Sequence, residues 1–376
     1  MDELMVRRST SFWTEEIMDK LQNKIPYAVR QAQELDGIPY TTHESKWVVG
    51  PCDGICWWTN GFWPGTMWQM YLMTSDEQYA AEAQRSELLL DAAFLDFDHL
   101  HHDVGFMWRL SAAAQYDLTG NRRSYDRAMQ AATILAGRYN PLGFIRAWNI
   151  AGPGVAIIDC MMNLSLLYWA SERSGDPRFR MIAARHADTA MKYFVRKDGS
   201  CNHIVEFDPE TLEVKDIPGG QGYAPGSSWS RGQGWAMYGF AISYRYTRKP
   251  EYLQTACVVA DYFLSCVGED GIPASDFRAP AEPVRKDNIA GALAACALID
   301  LSREIEGEKS RHYLSEAIRL LQAMEQTDAD WSLDCPAIFR RCLPAYTCET
   351  HIPLQYGDFF FIEAVNKLRG VSYKTW

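Results

Sequence analysis

Within the run Gly154–Ser171 (GVAIIDCMMNLSLLYWAS), Asp159 is the only side chain charged at neutral pH. A carboxylate carried into so apolar a segment loses hydration worth several kcal/mol unless something compensates. It responds by taking a partner or by holding its proton to higher pH, and both suit a general acid. A second carboxylate, Asp103, opens another mostly apolar stretch in His101-His102-Asp103-Val104-Gly105-Phe106. Two aspartates that cap helices, or are bonded into a core, would give the same pattern. Their meaning therefore depends on their surroundings.

Two aromatic clusters supply some of that meaning: Trp57-Trp58-Thr59-Asn60-Gly61-Phe62-Trp63 and Trp229-Ser230-Arg231-Gly232-Gln233-Gly234-Trp235. Tryptophans beside amides and an arginine suit a sugar, whose C–H faces meet rings and whose hydroxyls meet amides. Core packing explains any one of these tryptophans equally well. Arg231, His203 and Gln221 are the polar groups to aim at an acidic substrate, since an arginine fork matches a carboxylate with two bonds. The run His99-Leu100-His101-His102-Asp103 holds metal-ligand types, but no helical i, i+4 pair, CxxC or HExxH pattern supports it, so no metal is expected. Phosphate-loop and dinucleotide fingerprints are absent. Asn163-Leu164-Ser165 matches a glycosylation sequon inside a segment read as buried helix, and is discounted.

These residues need elements to place them. Five similar junctions punctuate the chain: Thr74-Ser75-Asp76-Glu77-Gln78-Tyr79, Thr119-Gly120-Asn121…Tyr125, Ser174-Gly175-Asp176-Pro177-Arg178-Phe179, Thr247-Arg248-Lys249-Pro250-Glu251-Tyr252 and Glu306-Gly307-Glu308…Tyr313. Each stops one helix and starts another, with an aromatic residue early in the second. Segments 13–34, 77–95, 122–138, 177–195, 250–267 and 309–328 mix charged and apolar residues at helical spacing and read as outer helices. Segments near 62–73, 104–116, 155–171, 235–246, 288–301 and 358–366 are apolar nearly all round and read as buried. The expectation is all-α: a closed (α/α)₆ toroid of six helical hairpins, one domain spanning 1–376, with strand confined to short pieces such as 202–207. Long aromatic loops before the inner helices, at 48–63, 99–103, 144–153, 202–231 and 345–358, would converge at one end.

The 376 residues are 47% apolar and 23% charged, ordinary for a globular protein with a large core. A net charge of −11 with no strongly basic run argues against a nucleic-acid partner. Asp159, Asn163 and Ser165 argue against a membrane span in the longest apolar run. Met1-Asp2-Glu3-Leu4 does not open a signal peptide, and the ten cysteines are scattered as buried thiols would be. The chain is expected to be soluble and cytoplasmic.

Taken together, Trp58-Thr59-Asn60-Gly61-Phe62-Trp63-Pro64-Gly65, His102-Asp103-Val104-Gly105-Phe106, Ala147-Trp148, Ile158-Asp159-Cys160-Met161-Met162-Asn163-Leu164, His203…Phe207-Asp208-Pro209 and Ser228-Trp229-Ser230-Arg231-Gly232-Gln233…Trp235 resemble the unsaturated glucuronyl hydrolases, family 88 of the glycoside hydrolases. They fall in the family's order over residues 45–370. The resemblance implies the same (α/α)₆ barrel and, as substrate, an oligosaccharide left by a polysaccharide lyase, ending in a 4,5-unsaturated uronic acid. It implies that Asp159 protonates C4 and then activates the water that attacks C5. Asp103 would bind ring hydroxyls, and its negative charge would help keep Asp159 protonated. His203, Gln221, Arg231 and Trp235 would contact the uronate, Trp58 and Trp148 would wall the cleft, and no cofactor is implied. Family members that favour sulfated fragments resemble one another in a Ser- and Lys-containing C-terminal loop. The corresponding Ala345–Leu354 has neither residue and carries Glu349 instead. Two rival readings are an unsaturated rhamnogalacturonyl hydrolase and a non-catalytic sugar-binding barrel.

Overall fold

Helix boundaries form where the junction residues demand them. The side chains of Asp76, Asn121 and Asp176 accept from the backbone N–H of Gln78, Arg123 and Arg178, each satisfying a first-turn donor. Pro177 and Pro250 occupy first turns, where a missing N–H costs nothing. The preceding helices end in left-handed residues: Gly120 and Gly175 do so without strain, while Ser75 and Arg248 adopt φ of 58° and 56° despite their side chains. The computed structural model describes residues 3–51 and 54–376.

The outer helices are Glu3–Gln33, Glu77–Leu89, Arg122–Gly137, Pro177–Tyr193, Pro250–Cys266 and Gly307–Asp328. The inner ones are Phe62–Thr74, Val104–Trp108 continued by Ala114–Thr119, Cys160–Ser174, Ser230–Thr247, Asn288–Glu304 and Gln355–Leu368. A π turn at Arg109–Ala113 joins the two pieces of the second inner helix. Each inner helix packs against the next, and Gln355–Leu368 returns against Phe62–Thr74. The ring is closed: an (α/α)₆ toroid. No described helix is long and apolar enough to cross a membrane. The cysteines among the described residues are free thiols.

Aromatic side chains fill the bore. Trp376, with no exposed surface, lies near Phe62, Phe106 and Tyr238 and stacks on Phe360, and its Nε1 donates to Glu363. The ring is thus packed through its centre, and the chemistry sits at one end.

The first outer helix, read as 13–34, begins at Glu3, and the boundary nearest the acids differs as well. The inner helix expected over 155–171 begins only at Cys160, because Val155–Ile157 is a strand. It pairs antiparallel with Ile204–Phe207, with Ala156 opposite Val205, and Ile204–Phe207 pairs in turn with Val214–Asp216. Gly154 makes this approach possible, since a Cβ there would lie 1.8 Å from the Phe207 carbonyl oxygen. β-Branched Val155, Ile157 and Ile158 favour the extended form. Asp159 therefore stands at a helix entrance, not within a helix. Its exposure, 13% of the side chain, follows from that position.

Candidate active site

Asp103 and Asp159 occupy equivalent places, each the residue before the first turn of an inner helix, and those two helices are neighbours in the ring. Neither side chain caps its helix. Both carboxylates are left for other work.

The two acids meet through Asn163, one turn beyond Asp159. Its Nδ2 donates to Asp103 Oδ1 at 2.9 Å and lies 3.4 Å from the Asp159 carbonyl, while its Oδ1 accepts from the Phe106 N–H at 2.6 Å. His102 Nε2 lies 3.1 Å from Asp103 Oδ1, and His101 Nδ1 lies 3.5 Å from Oδ2. Burial holds His101 down to about 4 and His102 well below the usual imidazole range, with positive Arg138 adding to both. These contacts are therefore polar contacts to neutral rings and not ion pairs at neutral pH. Burial, and then the negative charge of Asp159, push the Asp103 carboxyl well above the usual carboxylate range; the Asn163 bond works weakly against them. Asp103 is the more deeply enclosed of the two acids.

His203 faces Asp159 from the adjoining strand, with Nε2 3.4 Å from Asp159 Oδ2. Its Nδ1 accepts from the Gln221 backbone N–H at 2.9 Å, and its ring lies against Trp229. Gln221 acts here through its backbone, while its side-chain Nε2 donates to the Pro344 carbonyl at 2.8 Å. Trp148 stands edge-on to His102. Its loop is held by Arg138, which donates to the carbonyls of Arg146 and Ala147 and to Asn149 Oδ1. Trp58 is half-buried against Phe62, Phe106 and Tyr356.

Arg231 and Trp235 are the most deeply buried of the residues aimed at the substrate. Arg231 is 1% exposed, and its guanidinium is committed to Asp287, the Tyr356 hydroxyl and the Leu343 carbonyl. Burial opposes its charge, but Asp287 and the Tyr356 oxygen outweigh that and hold its pKa above the usual arginine range. The fork that the sequence aimed at a uronate takes these protein oxygens as partners. Trp235 has no exposed surface and packs between Phe106 and Phe360.

In the sequence Asn163 stands out only within a motif, in a discounted sequon and as a polar residue that argues against a membrane span. Its i+4 spacing from Asp159 was the available signal for its role. Tyr356 and Asp287, partners of Arg231, carried no local signal. His101, His102 and Asp103 each bring a ligand atom within 4.8 Å of the others, so the geometry for a metal exists where spacing gave no support. A cavity of about 190 Å³ lies at the opposite end of the ring, among Arg245, Asp300 and Lys367, away from both acids.

A closed (α/α)₆ ring with two carboxylates at the entrances of adjacent inner helices, flanked by tryptophans, has the parts a glycoside hydrolase needs. No family model matches the chain. It is 36% identical over 332 residues to an unsaturated glucuronyl hydrolase of Bacillus sp. (strain GL1), covering 84% of this chain and 87% of the relative. It is 32% identical over 335 residues to an unsaturated chondroitin disaccharide hydrolase of Streptococcus pyogenes serotype M1, covering 85% and 82%. The crystal structure of the unsaturated glucuronyl hydrolase responsible for the degradation of glycosaminoglycan from Bacillus sp. GL1 superposes with a TM-score of 0.87, at 32% identity and covering 94% of this chain and 97% of that one. The chain belongs to the unsaturated glucuronyl hydrolase family.

Proposed function

We propose that this enzyme releases a terminal 4,5-unsaturated glucuronic acid from the oligosaccharides that polysaccharide lyases leave, by hydrating the C4=C5 vinyl ether. The relatives named above act, by name, on unsaturated glucuronyl groups and on unsaturated chondroitin disaccharides. Asp159 gives its proton to C4, and positive charge develops at C5 and the ring oxygen. The same side chain, now a carboxylate, takes a proton from the water that adds to C5. The resulting hemiketal rearranges and expels the remaining sugar. One acid thus serves both transfers, unlike the paired carboxylates of ordinary glycosidases.

The observation that carries this reading is the placement of the two acids. The two carboxylates stand at the entrances of adjacent inner helices, neither spent on capping its helix, and Asn163 bonds Asp103 from one turn beyond Asp159. Asp103, steadied by Asn163, serves as the hydroxyl-binding partner; His203, Gln221, Trp58 and Trp148 line the approach, with Arg231 and Trp235 behind them. We further assign residues 1–376 to one catalytic domain. The enzyme works in the cytoplasm on a soluble sugar, with no nucleic acid or membrane as partner, in keeping with its free thiols and net charge of −11.

The test is the ultraviolet absorbance of the conjugated uronate. It declines when an unsaturated disaccharide meets the enzyme, and Asp159→Asn stops the decline while substrate still binds, the loss lying in kcat. Substantial residual kcat in that variant reassigns the proton donor, with Asp103 next in line. Binding without any absorbance loss in the unsubstituted enzyme favours the sugar-binding barrel. Turnover confined to pectin-derived fragments favours the rhamnogalacturonyl hydrolase.

A further inference from the structure

Asp276 lies outside the two-acid site, between the helices Pro250–Cys266 and Asn288–Glu304, yet it is 4% exposed. Its carboxylate organises the turn that reaches His203. Oδ2 accepts from the Tyr223 N–H at 3.0 Å, and Oδ1 accepts from Ser228 at 3.0 Å and from Arg278 at 2.9 Å. The turn comes this close only because of its glycines. A Cβ on Gly222 would stand 2.7 Å from Asp276 Oδ2, and one on Gly220, at φ +59°, would stand 2.1 Å from His203 Nδ1. Between these glycines Gln221 is fixed on its other side by Tyr346, whose N–H donates to the Gln221 carbonyl at 2.9 Å.

The consequence falls on the histidine. A ring nitrogen that accepts from a backbone N–H carries no proton, so neutral His203 holds its proton on Nε2. That nitrogen and Asp159 Oδ2, 3.4 Å apart, are both buried with no other hydrogen-bond partner. Such a distance tightens when a substrate closes the site. An Nε2–H toward Asp159 steadies the carboxylate that forms once C4 is protonated, and leaves the acid proton on the other oxygen. The opposite tautomer would present a lone pair to Asp159 and compete with C4 for that proton.

We propose that Asp276 is a positioning residue which, through the Gly220–Gln221–Gly222 turn, fixes His203 in the tautomer whose Nε2–H faces Asp159. The proposal rests on Asp159 as proton donor. Asp276→Asn isolates the link, because its carbonyl still accepts from Ser228 and Arg278 while its amide N–H opposes that of Tyr223. Imidazole-¹⁵N spectra of the free protein report the tautomer, with His203 assigned by the signal lost in His203→Gln. In the unsubstituted enzyme His203 shows a protonated Nε2 and an accepting Nδ1. In Asp276→Asn the Nδ1–H form is populated, and kcat falls by roughly tenfold to a hundredfold with KM little changed, while the melting temperature drops with the lost Tyr223 bond. Gly220→Ala, which acts at the ring itself, gives the same pair of effects should the Asn variant fold poorly. A tautomer unmoved in both variants overturns the proposal, and so does a moved tautomer with undiminished kcat. An unsubstituted enzyme inert toward unsaturated disaccharides instead sinks the functional reading, while the spectra still decide the tautomer.

Discussion

Asn163 joins the two acids of the site. Its Nδ2 donates to Asp103 Oδ1 at 2.9 Å from a position one turn into the helix that Asp159 precedes. The other end of the amide accepts from the Phe106 N–H at 2.6 Å. Gly105 lets the helices approach this closely, since a Cβ there would lie 2.5 Å from the Asn163 backbone and side-chain oxygen. The bond fixes which oxygen of Asp103 is engaged, and so which is left for a sugar hydroxyl.

Replacing Asn163 by Ala strips that support. The Phe106 N–H is left buried without an acceptor, which costs about 1–3 kcal/mol of stability, read as a lower melting temperature. Asp103 loses a donor and can rotate, so kcat falls by roughly a hundredfold. Undiminished kcat in a folded Asn163→Ala protein would show that Asp103 needs no such holding.

The hydration route makes a prediction about atoms. In deuterated water the product acquires deuterium at C4, because the proton from Asp159 derives from solvent. With ¹⁸O-water the label enters at C5, and the glycosidic oxygen departs with the released sugar. Mass spectrometry and proton NMR of the products decide it. A C4 free of deuterium returns the enzyme to displacement at the anomeric carbon.

Much of this was legible in the sequence, and the gaps have physical causes. The ring followed from local signals: Asp76, Asn121 and Asp176 cap helices and the apolar runs bury on all sides, and neither depends on distant partners. The entrance of the Cys160–Ser174 helix was misplaced because Val155–Ile157 is extended only through pairing with Ile204–Phe207, some fifty positions away. Arg231 was read as free for the same reason. Its partners Asp287, Leu343 and Tyr356 are at least 56 positions distant, and only folding brings them to one guanidinium. Asp159 drew notice as a lone charge, whereas Asp103 proves the more deeply enclosed, because the ring stacks neighbours on it that its own segment does not contain.

Acid should loosen the fold through histidines that the protein keeps neutral. His186, 1% exposed, accepts from the Ile145 N–H through Nδ1, and burial holds its imidazole down to about 3. The folded pKa lies below the unfolded one, so this contribution is intact above about 6.5 and is lost as pH falls from there toward 3, by up to ~1.4 kcal/mol per unit for one proton. His101, held down to about 4, adds in the upper part of that window. Urea unfolding of His186→Gln, whose side-chain carbonyl can still accept from Ile145, should show a shallower fall between pH 6 and 4. An unchanged slope rules out His186 as a source.

Chelation should leave the rate alone. Protonating an enol ether and adding water require only a proton and a base, although His101, His102 and Asp103 are close enough to hold an ion. Treatment with a chelator followed by dialysis is expected to preserve kcat/KM. Activity lost on chelation and restored by a divalent ion would place a metal at that cluster and give Asp103 a different role.

The last prediction concerns sulfate. The family resemblance implies a Ser- and Lys-containing loop in members that favour sulfate; the corresponding stretch here is Ala345–Leu354, with an exposed Glu349. Arg285 spends its guanidinium on the Tyr346 and Cys348 carbonyls of this loop and holds it in place. Arg340 is paired with Asp330, and Arg341, 68% exposed, lies 3.6 Å from Asp328. A sulfate arriving beside Glu349 meets like charge where a lysine would attract it, and desolvation in a filled cleft strengthens the repulsion. An unsulfated unsaturated disaccharide should therefore be turned over with about tenfold higher kcat/KM than its sulfated counterpart, the difference corresponding to ~1.4 kcal/mol. Glu349→Lys should narrow or reverse that ratio, with most of the change in KM. Equal or better turnover of the sulfated compound by the unsubstituted enzyme, lost in Arg341→Ala, would show that Arg341 leaves Asp328 to take the sulfate.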